Sequence, residues 1–412
     1  MDLANLDNFV DDVTPWRFFD VLRRKHPVYW NPESFPNRGF WSVARHADVV
    51  TVNSDPSTFS SSHSGVHLEE LDEQQLAVRR SMIEMDGPRH KSLRGLLQPD
   101  FSPRAITRFT DEVRTVVRET LDSALTTDTF DFVNAIASHI PIRVLSRLLG
   151  VPDSMAPTLL AWTNRMTGAS DPEYLESTSL NEACSLRFLP YQSSASRAAV
   201  LYGRELAGSR TSKPHGHDLI SHLFHRLPED GVSLSRQEYD NYFILLISAG
   251  HETTRHALSH TIRGLALQPE LIHKLRNLTS PSRAVEEFLR WGSPVYYFRR
   301  TVTRDFQMHQ QQLRKNDKVV MWLASANHDP LVFENPGSID LNRSPNPHVT
   351  FGRGGPHFCL GASLAQLEMR VFLEEFVQRV KSVHLAGEAV RLRSNFINGF
   401  KQLPVRIVRY CR

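Results

Sequence analysis

The chain has 412 residues, 40% hydrophobic and 23% charged, with 48 Lys and Arg against 45 Asp and Glu for a formal net charge of +3. That is an ordinary globular mixture with apolar mass for a large core, and its basic residues lack the dense stripe that nucleic-acid binding requires. Three widely spaced cysteines, Cys184, Cys359 and Cys411, with no C-x-x-C pair, exclude a disulfide framework and a four-cysteine metal site and point to a reducing compartment.

Met1 to Asp11 is polar and acidic, unlike a signal peptide or membrane anchor. The longest apolar run in the middle of the chain, Tyr242 to Ile247, is far short of a bilayer span, so a cytoplasmic protein is expected. Pro27 to Trp30 and Phe40 to Val43 read as strands of a small sheet. Helical periodicity dominates from about Asp86 to Trp291, with loop signals at Ser60 to Gly65, Gly168 to Pro172 and Gly208 to Asp218. Asn398 to Phe400 and Pro404 to Val408 suggest a late turn and strand. Length alone would suggest two or three domains at about 150 residues each. No repeat or interdomain linker appears, so residues 1–412 read as a single, mainly helical domain with a minor β region.

Ser235 and Glu238 form an S-x-x-E capping box, which starts a helix at Arg236. The pattern runs to Leu267 and stops before Pro269; at 1.5 Å per residue such a helix is about 45 Å long. Phe243 to Ile247 make its first half apolar all round, hence buried. Then comes Ala249-Gly250-His251-Glu252-Thr253-Thr254. Glycine costs about 1 kcal/mol inside a helix, and a buried Glu is costly unless paired or protonated. The Thr253 hydroxyl is expected to compete for a carbonyl one turn earlier and open the helix, while Ala249 and Gly250 let a flat ligand or a diatomic molecule approach. On the helix alone, a solvated surface turn explains these residues equally well.

Phe351-Gly352-Arg353-Gly354-Gly355-Pro356-His357-Phe358-Cys359-Leu360-Gly361 leads into a second helical pattern, with Leu360, Leu364, Leu367 and Val371 on one face. Cys359 thus sits near a helix N-terminus, which favours a thiolate. One cysteine cannot hold an iron–sulfur cluster or a structural zinc, but it can be the single protein ligand of a haem. A lone cysteine is more often inert; the glycine-rich loop argues against that here.

Together these motifs resemble the cytochrome P450 family, specifically its soluble bacterial members. Ala249 to Thr254 is similar to the family's A/G-G-x-D/E-T-T/S helix motif, and Glu287 and Arg290 to its E-x-x-R pair, which the resemblance completes with Arg343 as a structural cluster. The Cys359 loop resembles F-G-x-G-x-H-x-C-x-G, except that Phe351 lies one residue too far from the cysteine. The resemblance implies the fold of that family, with haem b between the long central helix and the Cys359 loop and helix. Cys359 would ligate the iron. Ala249 and Gly361 would border the cofactor, and His90, Arg94, Arg300 and His357 would bind its propionates. Solvated surface charges are the bland alternative for these four.

The resemblance further implies a monooxygenase: Thr253 hydrogen-bonding dioxygen, Glu252 relaying protons, and electrons from a separate ferredoxin and ferredoxin reductase. Docking of these carriers is expected on a positive face around Arg89, Lys91 and Arg94. Gly250, Val295, Tyr296, Phe298, Phe396 and Ile397 are the expected substrate-pocket residues, with Tyr297 beside them. A medium-sized aromatic or cyclic metabolite of bacterial secondary metabolism would suit them, although core packing explains the aromatics equally well. A monomer without membrane attachment is expected. Two further readings compete: a peroxide-driven or ring-joining haem-thiolate catalyst, and a haem sensor or recruitment module without turnover.

Overall fold

Ser235 opens the longest helix as its capping box requires: its hydroxyl accepts the Glu238 backbone N–H, and the Glu238 carboxylate accepts the Ser235 N–H. The helix runs Arg236–Leu267 and ends at Gln268. Tyr242, Phe243, Ile244 and Ile247 are buried in its first half, and His251, Glu252 and His256 are buried beyond them. The expected opening of this helix does not occur. Thr253 Oγ1 does donate to the Ala249 carbonyl at 2.9 Å, yet the segment stays α-helical throughout. A carbonyl oxygen has two lone pairs, so the hydroxyl shares the acceptor with the helix ladder.

The computed structural model describes residues 1–34, 37–168, 170–174, 185–211 and 218–410. Around the central helix pack His139–Leu149, Ala156–Thr167, Ser194–Thr211, Ser282–Gly292 and Ala362–Arg379. Their apolar faces merge into the largest core of the protein. The loop expected at Gly208 to Asp218 begins later, because the helix continues to Thr211; a side chain on Gly208 would meet nothing within 4 Å, so no turn is forced there. Residues 212–217 lie outside the described residues.

The strands expected near the start form at Val28–Asn31 and Phe40–Val43. They join a five-stranded sheet in the order Val28–Asn31, Phe40–Val43, Lys318–Trp322, Tyr297–Val302, Phe59–Ser60, in which only the second and third strands pair in parallel. The late strand Pro404–Arg409 pairs antiparallel with both Val380–Leu385 and Thr129–Asp131. Successive strand residues point to opposite faces. This sends Arg299 to the His67 and Glu69 carbonyls at 3.2 and 3.0 Å, and Arg300 the other way, to Asn53 Oδ1 at 3.1 Å. Among the described residues no helix is long and apolar enough to cross a membrane.

Candidate active site

The loop before helix Ala362–Arg379 is shaped by its backbone. Cys359 N–H donates to the Phe351 carbonyl at 2.7 Å. Between these residues the chain turns through Gly352 and Gly354, at φ +73° and +94°, a region open to glycine at little cost. Asn53, on helix His46–Ser54, donates to the Gly352 and Arg353 carbonyls at 2.8 and 3.2 Å. A Cβ on Gly355 would lie 2.2 Å from the Asn53 carbonyl oxygen. The extra residue is therefore absorbed in a turn at Arg353 to Gly355 against that helix, and Phe351 keeps its backbone bond to Cys359.

Gly361 is the N-cap of the following helix, and its N–H donates to the Cys359 sulfur. Burial pushes the thiol up, while this N–H and the Arg94 charge favour the thiolate. Cys359 has accessible surface although protein crowds its sulfur. The thiol thus fronts an enclosed recess, not bulk water.

His90, Arg94, Arg300 and His357 come together beside it. The His90 and His357 rings lie 4.2 Å apart, and His90 and Arg300 are buried. Burial, then His357, Arg94 and Arg300, pushes His90 down to about 4. Burial also pushes Arg300 down to about 10, with only Asp86 opposing it. Asp86 is the carboxylate that enters this group. Burial pushes it up, but the His357 ring 3.8 Å away and hydrogen bonds from Ser60 and the N–H groups of Ser61 and Ser62 outweigh this and hold it well below the usual range. Buried cations in excess over carboxylates are costly unless a ligand supplies anions, and this donor set fits a ligand with two carboxylates. Sequence reasoning gave no role to Asp86, which opens the segment that carries His90 and Arg94, or to Ser61 and Asn53. The expected positive docking face does not form. Arg89 pairs with Glu238 and Asp230, Lys91 pairs with Glu229, and Arg94 turns toward Cys359.

The central helix presents Ser248, Ala249, Glu252 and Thr253 to a cavity of about 580 Å³, opposite Val295, Tyr297, Phe298, Phe396 and Ile397. Two expected pocket residues are absent from its wall. Gly250 is rotated away, and a Cβ there would meet Leu145 at 3.2 Å. Tyr296 points into the opposite side of the sheet, fully buried, where Phe9 packs on its ring at 5.1 Å and Arg391 donates to its hydroxyl at 2.8 Å. Val295, Tyr297 and Phe298 line the cavity, and Tyr296 between them does not. Farther out, Arg79 donates to both Glu69 oxygens at 3.0 and 2.9 Å, and Gln192 donates to Glu69 at 2.6 Å. Glu69 and Arg79 fall in Ser60 to Met82, one of the stretches that the resemblance marks for substrate contact; Gln192 was not anticipated. Of a second such stretch, Thr167 to Cys184, residues 169 and 175–184 lie outside the described residues.

Glu252 is 2% exposed. Arg255 Nη1 lies 3.1 Å from it, His256 Nε2 3.2 Å and His251 Nδ1 3.2 Å. Burial pushes the carboxyl up, but the Arg255 charge and both histidine bonds prevail and hold it well below the usual range. These three partners were missed; only their positions on one helix, one, three and four residues from Glu252, hinted at contact.

Glu287 and Arg290 form a two-pronged pair at 2.8 and 2.8 Å with no exposed surface on either side chain. Arg343 Nε and Asn346 Nδ2 donate to the same carboxylate at 3.0 and 3.2 Å, and the Asp340 N–H adds 2.9 Å. Arg290 also donates to the Asn327, Pro336 and Ser338 carbonyls. A surface ion pair is excluded.

A long buried helix with an acid–hydroxyl pair, a single thiol in a glycine loop and a cationic recess fitted to two carboxylates define a haem-thiolate protein. The cytochrome P450 family model matches residues 281–404. A steroid C26-monooxygenase of Mycolicibacterium smegmatis is 33% identical, over 93% of this chain and 88% of its own length. A methyl-branched lipid omega-hydroxylase of Mycobacterium bovis is 34% identical, over 98% of this chain and 94% of its own. A Mycobacterium marinum cytochrome P450, solved in complex with pseudoionone, superposes with a TM-score of 0.89 at 32% identity, covering 98% of each chain. The chain belongs to the cytochrome P450 family of haem-thiolate oxidoreductases.

Proposed function

We propose that this protein is a monooxygenase that inserts one atom of dioxygen into a C–H bond of a largely apolar lipid or steroid-like molecule, using two electrons from a ferredoxin and its reductase. The observation that carries the reading is the Glu252–Thr253 pair in the wall of an aromatic cavity. Haem, when bound, supplies the activation of dioxygen. Cys359 would ligate its iron, with Gly361 N–H supporting the thiolate, and His90, Arg94, Arg300 and His357 would hold its two carboxylates through charge-assisted hydrogen bonds. Ala249 would border the cofactor.

Thr253 Oγ1 donates its one hydrogen to the Ala249 carbonyl, which leaves a lone pair to accept a hydrogen bond from the cavity. Glu252, held ionised by its neighbours, passes protons on and is not a resting acid. A cavity of about 580 Å³ falls in the ~300–1,000 Å³ range of small-molecule sites. Phe298, Phe396 and Ile397 suit the apolar end of a substrate, and Glu69, Arg79 and Gln192 suit a polar end. This pattern, with relatives named for oxidising steroids and branched lipids, favours an amphipathic lipid; a steroid would agree with the cyclic half of the aromatic or cyclic metabolite expected from sequence, a branched lipid would not.

The reduced, carbon-monoxide-treated protein should show the red-shifted absorption of thiolate-bound haem, and Cys359→Ser should abolish that band together with product formation. A variant that keeps both would refute the reading. A screen of steroids and methyl-branched fatty acids, read by the haem absorption shift on binding, tests the substrate class.

A further inference from the structure

The proposed chemistry brings protons to Glu252, and three side chains touch its carboxylate. Arg255 holds its protons too tightly to hand one over; its Nη1 is shared between Glu252 at 3.1 Å and Asn164 Oδ1 at 2.6 Å. His256 is locked in one tautomer. Its Nδ1 accepts the Phe400 N–H at 3.3 Å, so its proton sits on Nε2 and faces Glu252 at 3.2 Å. Gly399 lies so close that a Cβ there would fall 2.4 Å from the ring. Reloading His256 would need a second proton on Nδ1, at the expense of the Phe400 bond.

His251 is built differently. Its Nδ1 lies 3.2 Å from Glu252 Oε1 and 3.0 Å from Thr163 Oγ1, and its Nε2 lies 3.2 Å from the Ser138 carbonyl. A ring nitrogen facing a carboxylate or a carbonyl oxygen at that distance carries the hydrogen between them, since two bare lone pairs would repel, so Nε2 donates to Ser138 and Nδ1 to Glu252, and loss of the Nδ1 proton leaves a neutral ring still bonded to Ser138. The ring has no accessible surface and spans from Glu252 to helices His139–Leu149 and Ala156–Thr167. The charged groups that face it are Glu252, Arg255 and His256 on its own helix and His139 on the helix packed against it. His139 is half-buried and adjoins Ser138, marking the solvent side.

We propose that His251 is the positioning residue that supplies protons to Glu252, from the side where the central helix meets His139–Leu149 and Ala156–Thr167. The inference rests on the monooxygenase reading and deepens it. The proton on Nδ1 moves to Glu252 Oε1, Glu252 releases it toward the Thr253 side, and the ring regains a proton from solvent, so no charge accumulates.

The test uses holoenzyme with a ferredoxin, its reductase and NADPH, without added substrate, and two variants, His251→Gln and His251→Asn. Both should slow NADPH consumption on the order of 10-fold, the low side of what a positioned acid–base group contributes, and raise its solvent deuterium isotope effect about two-fold. The infrared carboxylate band lost in Glu252→Gln should shift in His251→Gln, independently of turnover. Carbon-monoxide spectra identify the variants that keep a folded haem site. A slowed variant with an unchanged isotope effect would mean the ring only packs, and the proposal falls. Wild-type rates in both His251 variants, with Glu252→Gln slowed, overturn the proposal and leave the monooxygenase reading standing. If Glu252→Gln also matches wild type, the proton role of Glu252 itself is wrong.

Discussion

Glu252 and Glu287 are both buried carboxylates, each bound by an arginine three residues farther along its own helix. Around Glu287 every donor is one that keeps its proton: both prongs of Arg290, Arg343, Asn346 and a backbone N–H. Around Glu252 the arginine makes a single bond, its Nε has no partner among the described residues, and two histidines complete the shell. Glu252 also reaches a cavity wall, whereas Glu287 is sealed among loops. The same local pair, E-x-x-R, thus makes a rivet in one place and, on the proposed reading, a proton station in the other. What separates them is whether the other neighbours can exchange protons.

Replacing each glutamate by glutamine sharpens this contrast. Glu287→Gln leaves Arg290 and Arg343 buried without a counter-charge and should cost about 3–5 kcal/mol, read as a fall in the urea midpoint and in the yield of folded holoenzyme. Glu252→Gln should cost less than half of that, because Asn164 still holds Arg255, while its oxygen chemistry slows. Equal stability losses would break the comparison. Thr253→Ala removes a hydroxyl whose acceptor stays bonded in the helix ladder. Stability should barely change, but product per electron should fall on the order of 10-fold as peroxide release rises. Unchanged coupling would remove Thr253 from the chemistry.

An effect spread over pH concerns His328, beside the Glu287 cluster. Burial, then the Arg290 charge, pushes this ring down to about 3. The unfolded chain binds a proton there near pH 6.5 and the folded chain does not until about 3, so stability is whole above 6.5 and declines as pH falls between those values. The slope is about 1.4 kcal/mol per pH unit. His328→Gln should therefore flatten the acid limb of a stability–pH curve; an unchanged limb would place the acid sensitivity elsewhere.

Much of this was legible in the residues. Ser235 and Glu238 marked the start of the central helix because a capping box is a local exchange between two side chains and two orphan N–H groups three residues apart. The glycines around Cys359 marked a tight loop for a similar reason. The resemblance also singled out Glu287, Arg290 and Arg343, which the fold brings together. Other assignments went astray where the deciding partner is distant in sequence. Gly250 turned to Leu145, and Tyr296 to Phe9 and Arg391. Arg89 and Lys91 met acids about 140 residues on, so charges that read as a patch are locally cancelled.

By itself the sequence determined where helices and turns begin, which face of each is apolar, and which residues carry thiol, hydroxyl and carboxyl chemistry, because those depend on neighbours within about one helical turn. Only the tertiary structure decided which carboxylate is locked and which can trade protons, which aromatic faces the cavity, and which cations are left without anions. Those depend on burial and on partners brought together by packing, and no local pattern encodes them.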